Sequence, residues 1–155
     1  MLKFLKNMVG GDEKSGPQPA KQSDGNDGRQ VKDVLLVDDD PVYVRALSRI
    51  AEKSGLDSVS VARDIEEAER LAAMFRYRTI LLDHFMVKGN GNFFVRWLVS
   101  NNIADGSAIY VMSGEPIAEL THYYEGLPVA QFLSKPIGVN TLASLFTTSS
   151  PGGQV

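Results

Sequence analysis

Val34-Leu35-Leu36-Val37-Asp38-Asp39-Asp40-Pro41 decides how the rest of this chain is read. Four consecutive apolar residues with no polar alternation describe a strand buried on both faces, the habit of a parallel sheet covered by helices. Three acids end the strand. Pro41 suits the first turn of a helix, where its missing N–H would have no partner in any case. Val42, Val44, Leu47, Ile50 and Ala51 then mark an apolar helical face that ends near Gly55. The stretch is a strand, an acidic corner and a helix in immediate succession.

The same unit recurs outward from there. Residues 32–37 form the first strand and 56–61 a second, alternating one. Asp64 is the N-cap of a helix with Ile65, Ala68, Leu71, Ala72 and Phe75 at helical spacing. Residues 79–82 are a buried strand, followed by a glycine-rich loop and a helix from Asn92 to about Asn102. Strands at 108–112 and 129–133 alternate with helices at 116–125 and 139–146. Five strand–helix units with short crossovers predict an α/β doubly wound parallel five-stranded sheet. In such sheets ligands sit beyond the carboxyl ends of the strands.

The bulk numbers agree. A chain of 155 residues suits one domain, read as residues 31–147, between a polar leader at 1–30 and a loose tail at 148–155. The hydrophobic fraction of 43% falls slightly short of the usual ~45–50%, and the leader accounts for the deficit. Leu2, Phe4, Leu5 and Met8 interleaved with Lys3 and Lys6 suit two amphipathic turns, but the lysines and the short apolar core do not suit a secretory signal. A net charge of −3 gives no reason to expect direct nucleic-acid binding. The absence of cysteine excludes disulfides and thiol catalysis and is compatible with the cytoplasm. No apolar run approaches the ~18 residues of a transmembrane segment.

The chemistry lies at the strand ends. Asp83 closes Thr79-Ile80-Leu81-Leu82, 45 and 44 residues after Asp38 and Asp39. Ser113 closes Ala108-Ile109-Tyr110-Val111-Met112, 30 residues further on, and Lys135, followed by Pro136, closes the last strand 22 residues later. Each is ordinary alone: an N-cap turn, a strand-end aspartate, a Ser-Gly turn, a Lys-Pro pair. Together, three carboxylates can hold a hard cation such as Mg2+, which takes one or two carboxylates along with waters and phosphate oxygens. A carboxylate can also attack phosphorus, with an ammonium and a hydroxyl at hand for the phosphoryl oxygens.

With Val37-Asp38-Asp39-Asp40-Pro41, Leu82-Asp83, Met112-Ser113-Gly114 and Lys135-Pro136 at these intervals, residues 31 to 146 resemble a receiver domain of two-component response regulators. The resemblance implies the flavodoxin-like (βα)5 fold with strand order 2-1-3-4-5. It implies that Asp83 accepts a phosphoryl group from a histidine kinase or phosphotransfer protein. Mg2+ would be held directly by Asp39, Asp83 and the Phe85 backbone carbonyl, and by Asp38 through water. Ser113 matches the switch hydroxyl, Lys135 the phosphate-binding lysine and Lys135–Pro136 a cis bond. Phe132 matches the aromatic switch position, against the plainer reading of a core phenylalanine. Output is expected through the fourth helix, fifth strand and fifth helix to a downstream protein, with no separate catalytic activity. With no output module after Phe146, the reading is a stand-alone cytoplasmic bacterial signalling regulator; in a fragment the output lies beyond Val155.

Some residues depart from the pattern. Met86-Val87 replaces the usual Met-Pro, which with Gly89 and Gly91 predicts a loop that is mobile without metal, although Gly91 itself matches a usual glycine of the family. In the family the positions of Phe85 and Glu115 lie near the path of an attacking water, so the resemblance together with a bulky Phe85 predicts slow dephosphorylation. Phe94 and Trp97 either pack on the sheet or, if both are exposed, form a patch suited to a partner or homodimer. His84 reads as a loop histidine and His122 as solvent-facing. Two competing functions remain: a non-phosphorylated receiver-fold adaptor, and a haloacid-dehalogenase-like phosphatase using Asp38-Asp39-Asp40-Pro41-Val42. The latter lacks an acidic pair after Lys135.

Overall fold

The computed structural model describes residues 27–149. Strands β1 (Gln30–Val37), β2 (Val59–Ala62), β3 (Phe75–Asp83), β4 (Ala108–Ser113) and β5 (Gln131–Ser134) form one sheet. All neighbours in it are parallel and the order is β2-β1-β3-β4-β5. The helices are α1 (Pro41–Lys53), α2 (Ile65–Met74), α3 (Gly91–Ser100) and α4 (Val139–Ser149). The expected flavodoxin-like architecture is present.

Alternation along each strand sorts the core into two layers. Val34, Leu36, Leu81, Met112 and Leu133 pack with Val44, Leu47 and Ala51 of α1 and with Leu142 and Phe146 of α4. Leu35, Val37, Ile80, Leu82 and Val111 pack on the other face with Ala68 and Ala72 of α2 and with Phe94, Val95 and Leu98 of α3. Both layers are needed because a parallel sheet leaves neither face to water.

The caps follow from local chemistry. Asp40 accepts from the Val42 and Tyr43 N–H groups ahead of Pro41, and Asp64 accepts from Glu67 N–H at 2.8 Å. The Arg29 guanidinium donates to the carbonyls of Ala72 and Phe75, so cationic charge meets the C-terminus of α2.

The boundaries differ where tertiary pairing outweighs local pattern. Phe75, expected on the face of α2, begins β3 directly and pairs with Gln30. Leu56 is buried but lies ahead of β2. The last helix continues past Phe146 to Ser149. Residues 1–26 and 150–155, most of the leader and tail, lie outside the described residues.

The larger correction is the fourth helix. Residues 116–125 contain two single turns of 3-10 helix, Ile117–Glu119 and Thr121–Tyr124, with non-helical Leu120 between them (φ −121°, ψ −5°). Ile117 and Thr121-His122-Tyr123-Tyr124 are β-branched or aromatic and lose χ1 freedom in an α-helix. Neither turn has a side-chain cap. Burial of Leu120 and Tyr124 shapes the segment instead, so the expected output face has no α-helix along this side.

Leu81 is fully buried in the α1/α4 layer. Leu81→Ala is expected to cost about 2–5 kcal/mol, read as a lower midpoint in urea unfolding.

Candidate functional site

Register builds the site. Val37 pairs with Leu82, so Asp38 and Asp83 leave the sheet at one level. Asp83 pairs with Met112 and Ser113 with Ser134, which brings Ser113 and Lys135 to the same edge.

Lys135 closes the cluster. Its ammonium donates to Asp38 Oδ2 at 2.9 Å and to Asp83 Oδ1 at 3.0 Å. The other Asp38 oxygen accepts from Asp40 N–H at 3.0 Å. Asp39, half-buried, accepts from Val87 N–H at 2.8 Å. Asp38 and Asp83 are buried. Burial, then the charge of Asp38, raise the pKa of Asp83 to about 6, against the opposing hydrogen bond of Lys135. Burial alone would lower the pKa of Lys135, but its hydrogen bonds to Asp38 and Asp83 outweigh it and leave the ammonium more strongly held than usual. Lys135 Nζ also lies 4.7 Å from the ring centroid of Tyr43, whose hydroxyl accepts from Ile137 N–H at 3.3 Å. The Lys135–Pro136 bond is cis.

One oxygen from each of Asp38, Asp39 and Asp83 fits within 4.8 Å of the others. Ligands on opposite sides of a Mg2+ ion are about 4 Å apart, so small side-chain adjustments suffice, and the all-oxygen donor set suits a hard cation.

Ser113 is at the edge but turned aside. Its hydroxyl accepts from Glu115 N–H at 2.9 Å and donates to the Glu115 carbonyl at 3.2 Å. The Glu115 side chain is exposed. Phe85, two residues after Asp83, is 47% exposed, its ring 4.4 Å from that of His84. The loop with Met86-Val87 contains a small antiparallel hairpin, Phe85 opposite Asn90 and Met86 opposite Gly89. Lys88 reaches Asp64 at 3.4 Å.

His84 stands in the bend after β3, a loop position as expected, but it does not face solvent. Its side chain is fully buried, and Nδ1 lies 2.7 Å from the Tyr124 hydroxyl. Burial, then the nearby His122, lower its pKa and favour the neutral ring. Burial, then the charge of Asp83, raise the pKa of Tyr124 well above the ordinary phenol range. The Tyr124 ring meets half-buried Phe132 edge-on, centroids 5.5 Å apart. His122 is exposed, as expected. Phe94 is fully buried and Trp97 only partly accessible, so the two rings form no shared exposed patch; Phe93 is the exposed ring of α3. Tyr43 and Tyr124 were missed by sequence reasoning. The spacing of Leu120 and Tyr124, four residues apart on the inward side, was the available signal for the second.

The family model of the response regulator receiver domain matches residues 34–147. The chain belongs to this family. No curated protein matches the chain. Among solved structures, it is similar to a two-component response regulator from Legionella pneumophila, at 22% identity and TM-score 0.70, over 76% of this chain and 97% of that one. A response regulator from Burkholderia pseudomallei, solved with a phosphorylated aspartic acid, calcium ion and citrate, matches at 24% and 0.63, over 79% and 68%. The beryllofluoride-activated NtrC4 receiver domain dimer matches at 26% and 0.65, over 75% and 93%. Among the described residues no helix of this receiver is long and apolar enough to cross a membrane.

The raised pKa of Asp83 sets a pH dependence. The neutral form is favoured on folding, so Asp83 costs nothing below its ordinary pKa of 3.8 and its full amount above about pH 6. In metal-free buffer Asp83→Asn is expected to stabilise the domain by about 1–3 kcal/mol at pH 8, with the gain gone near pH 4, measured by urea unfolding at both pH values.

Proposed function

We propose that this receiver takes a phosphoryl group on Asp83 from a phosphohistidine of a histidine kinase or phosphotransfer protein, with Mg2+, and signals through protein–protein contacts. The observation that carries the reading is the Lys135 ammonium held between the buried carboxylates of Asp38 and Asp83. The arrangement stores two negative charges beside one positive one, at an edge where a phosphoryl group can reach them.

In the reaction an Asp83 carboxylate oxygen attacks phosphorus as the P–N bond to the donor imidazole breaks. The bonding pair leaves with the imidazole, and Asp83 carries an acyl phosphate. Mg2+ neutralises charge on the phosphoryl oxygens in transfers of this kind. Asp38, Asp39, Asp83 and the Phe85 carbonyl would hold it. Lys135 exchanges a carboxylate contact for a phosphoryl oxygen. Ser113 reaches the phosphoryl group by giving up its bonds to Glu115, and Phe132, whose ring meets that of Tyr124, would register that movement. The Burkholderia relative, with a phosphorylated aspartic acid and a calcium ion in its structure, supports both the acceptor and the cation.

With Mg2+ and acetyl phosphate, the wild-type protein is expected to gain one phosphoryl mass, and Asp83→Asn none. Beryllofluoride should bind wild type alone. No Asp83-dependent uptake of either would favour the adaptor. A bulky Phe85 two residues after Asp83 is expected to slow hydrolysis; Phe85→Asn should lose phosphate several-fold faster in a radiolabel chase, and an equal rate would discard the shielding role.

A further inference from the structure

The chain between Asp83 and Gly91 is pinned from beneath by a side chain that lies outside the reaction described above. His84 donates its backbone N–H to Met112 O at 3.0 Å and accepts from Gly91 N–H at 2.8 Å, so it closes the turn at both ends. Its imidazole is fully buried, and Nε2 has no partner among the described residues. The Tyr124 hydroxyl, 2.7 Å from Nδ1, is the imidazole's hydrogen-bond partner. The same hydroxyl lies where Gly91 has no side chain: a Cβ on Gly91 would stand 2.9 Å from it and 2.8 Å from Asp83 O. Tyr124 therefore touches both ends of the turn, and its ring lies against Phe132.

From this we infer that Tyr124 is a positioning residue for the acceptor turn. Its hydroxyl, bonded to His84 and lodged against Gly91, fixes the path from Asp83 through Phe85, and its ring links that path to Phe132. Removing the hydroxyl leaves the buried imidazole without a hydrogen bond to the described residues, and the turn is the element free to relax. The inference rests on the receiver reading for what the turn does, but not for whether it is held.

The test uses the full chain as wild type, Tyr124→Phe, His84→Phe and the double variant. In metal-free buffer the Gly91 amide is expected to exchange about tenfold faster in either single variant, and no faster in the double, because one bond is lost in all three. The Leu36 amide, at the centre of the sheet, should keep its wild-type rate. An unchanged Gly91 rate in Tyr124→Phe, effects that multiply in the double variant, or equal acceleration at Leu36 would each overturn the inference. Calorimetric titration with Mg2+ gives the second readout. Tyr124→Phe should bind Mg2+ several-fold more weakly than wild type, and equal affinity would overturn the positioning role. If wild type binds no Mg2+, the receiver chemistry falls, while the Gly91 exchange still decides whether Tyr124 holds the turn.

Discussion

The ammonium of Lys135 between Asp38 and Asp83 is the contact on which the site depends. Two buried carboxylates at one sheet edge repel each other in a medium that screens poorly, and neither is tolerable without a cation. Lys135 supplies it from just beyond the end of β5, two places away from β3 in the sheet. The interaction works only if β1, β3, β4 and β5 hold a common register, so the apolar layers above and below the sheet serve the electrostatics as much as the fold. The same repulsion leaves the cluster ready for a stronger cation and for a phosphoryl group that takes up one of the lysine's bonds.

Much of this was legible in the sequence because the strands are unambiguous. Val34–Val37 and Thr79–Leu82 admit little but buried strands, and the residue after each run must then emerge at the carboxyl edge. That logic places Asp38, Asp83, Ser113 and Lys135 together with no knowledge of side-chain contacts. It gave the strand order only through the family resemblance, since spacing does not say which strand lies beside which.

The parts that were not legible are those where tertiary burial overrides local preference. Pro116 followed by Leu120 and Tyr124 at a four-residue interval resembles a helix start, yet the β-branched and aromatic residues between them give an α-helix too little support, and two 3-10 turns result. His84 was read from its position beside a loop. Its depth is set by Tyr124, forty residues away in sequence, and no local pattern carries that information. Phe75 misled because a phenylalanine at helical spacing also fits the first residue of an alternating strand.

The junction at Met74 and Phe75 leaves no spacer between α2 and β3. A one-residue insertion there has no loop in which to be absorbed. It would either unwind the last turn of α2 or slide β3 by one position, and a slide by one turns each side chain of a strand to the opposite face. Leu81 and Leu82 would exchange layers and Asp83 would turn away from Lys135. The connection between α3 and β4, residues 101–107, offers several residues of slack. Length variation in this domain is therefore tolerated unequally: it can accumulate between α3 and β4, and it is barred where helix runs straight into strand.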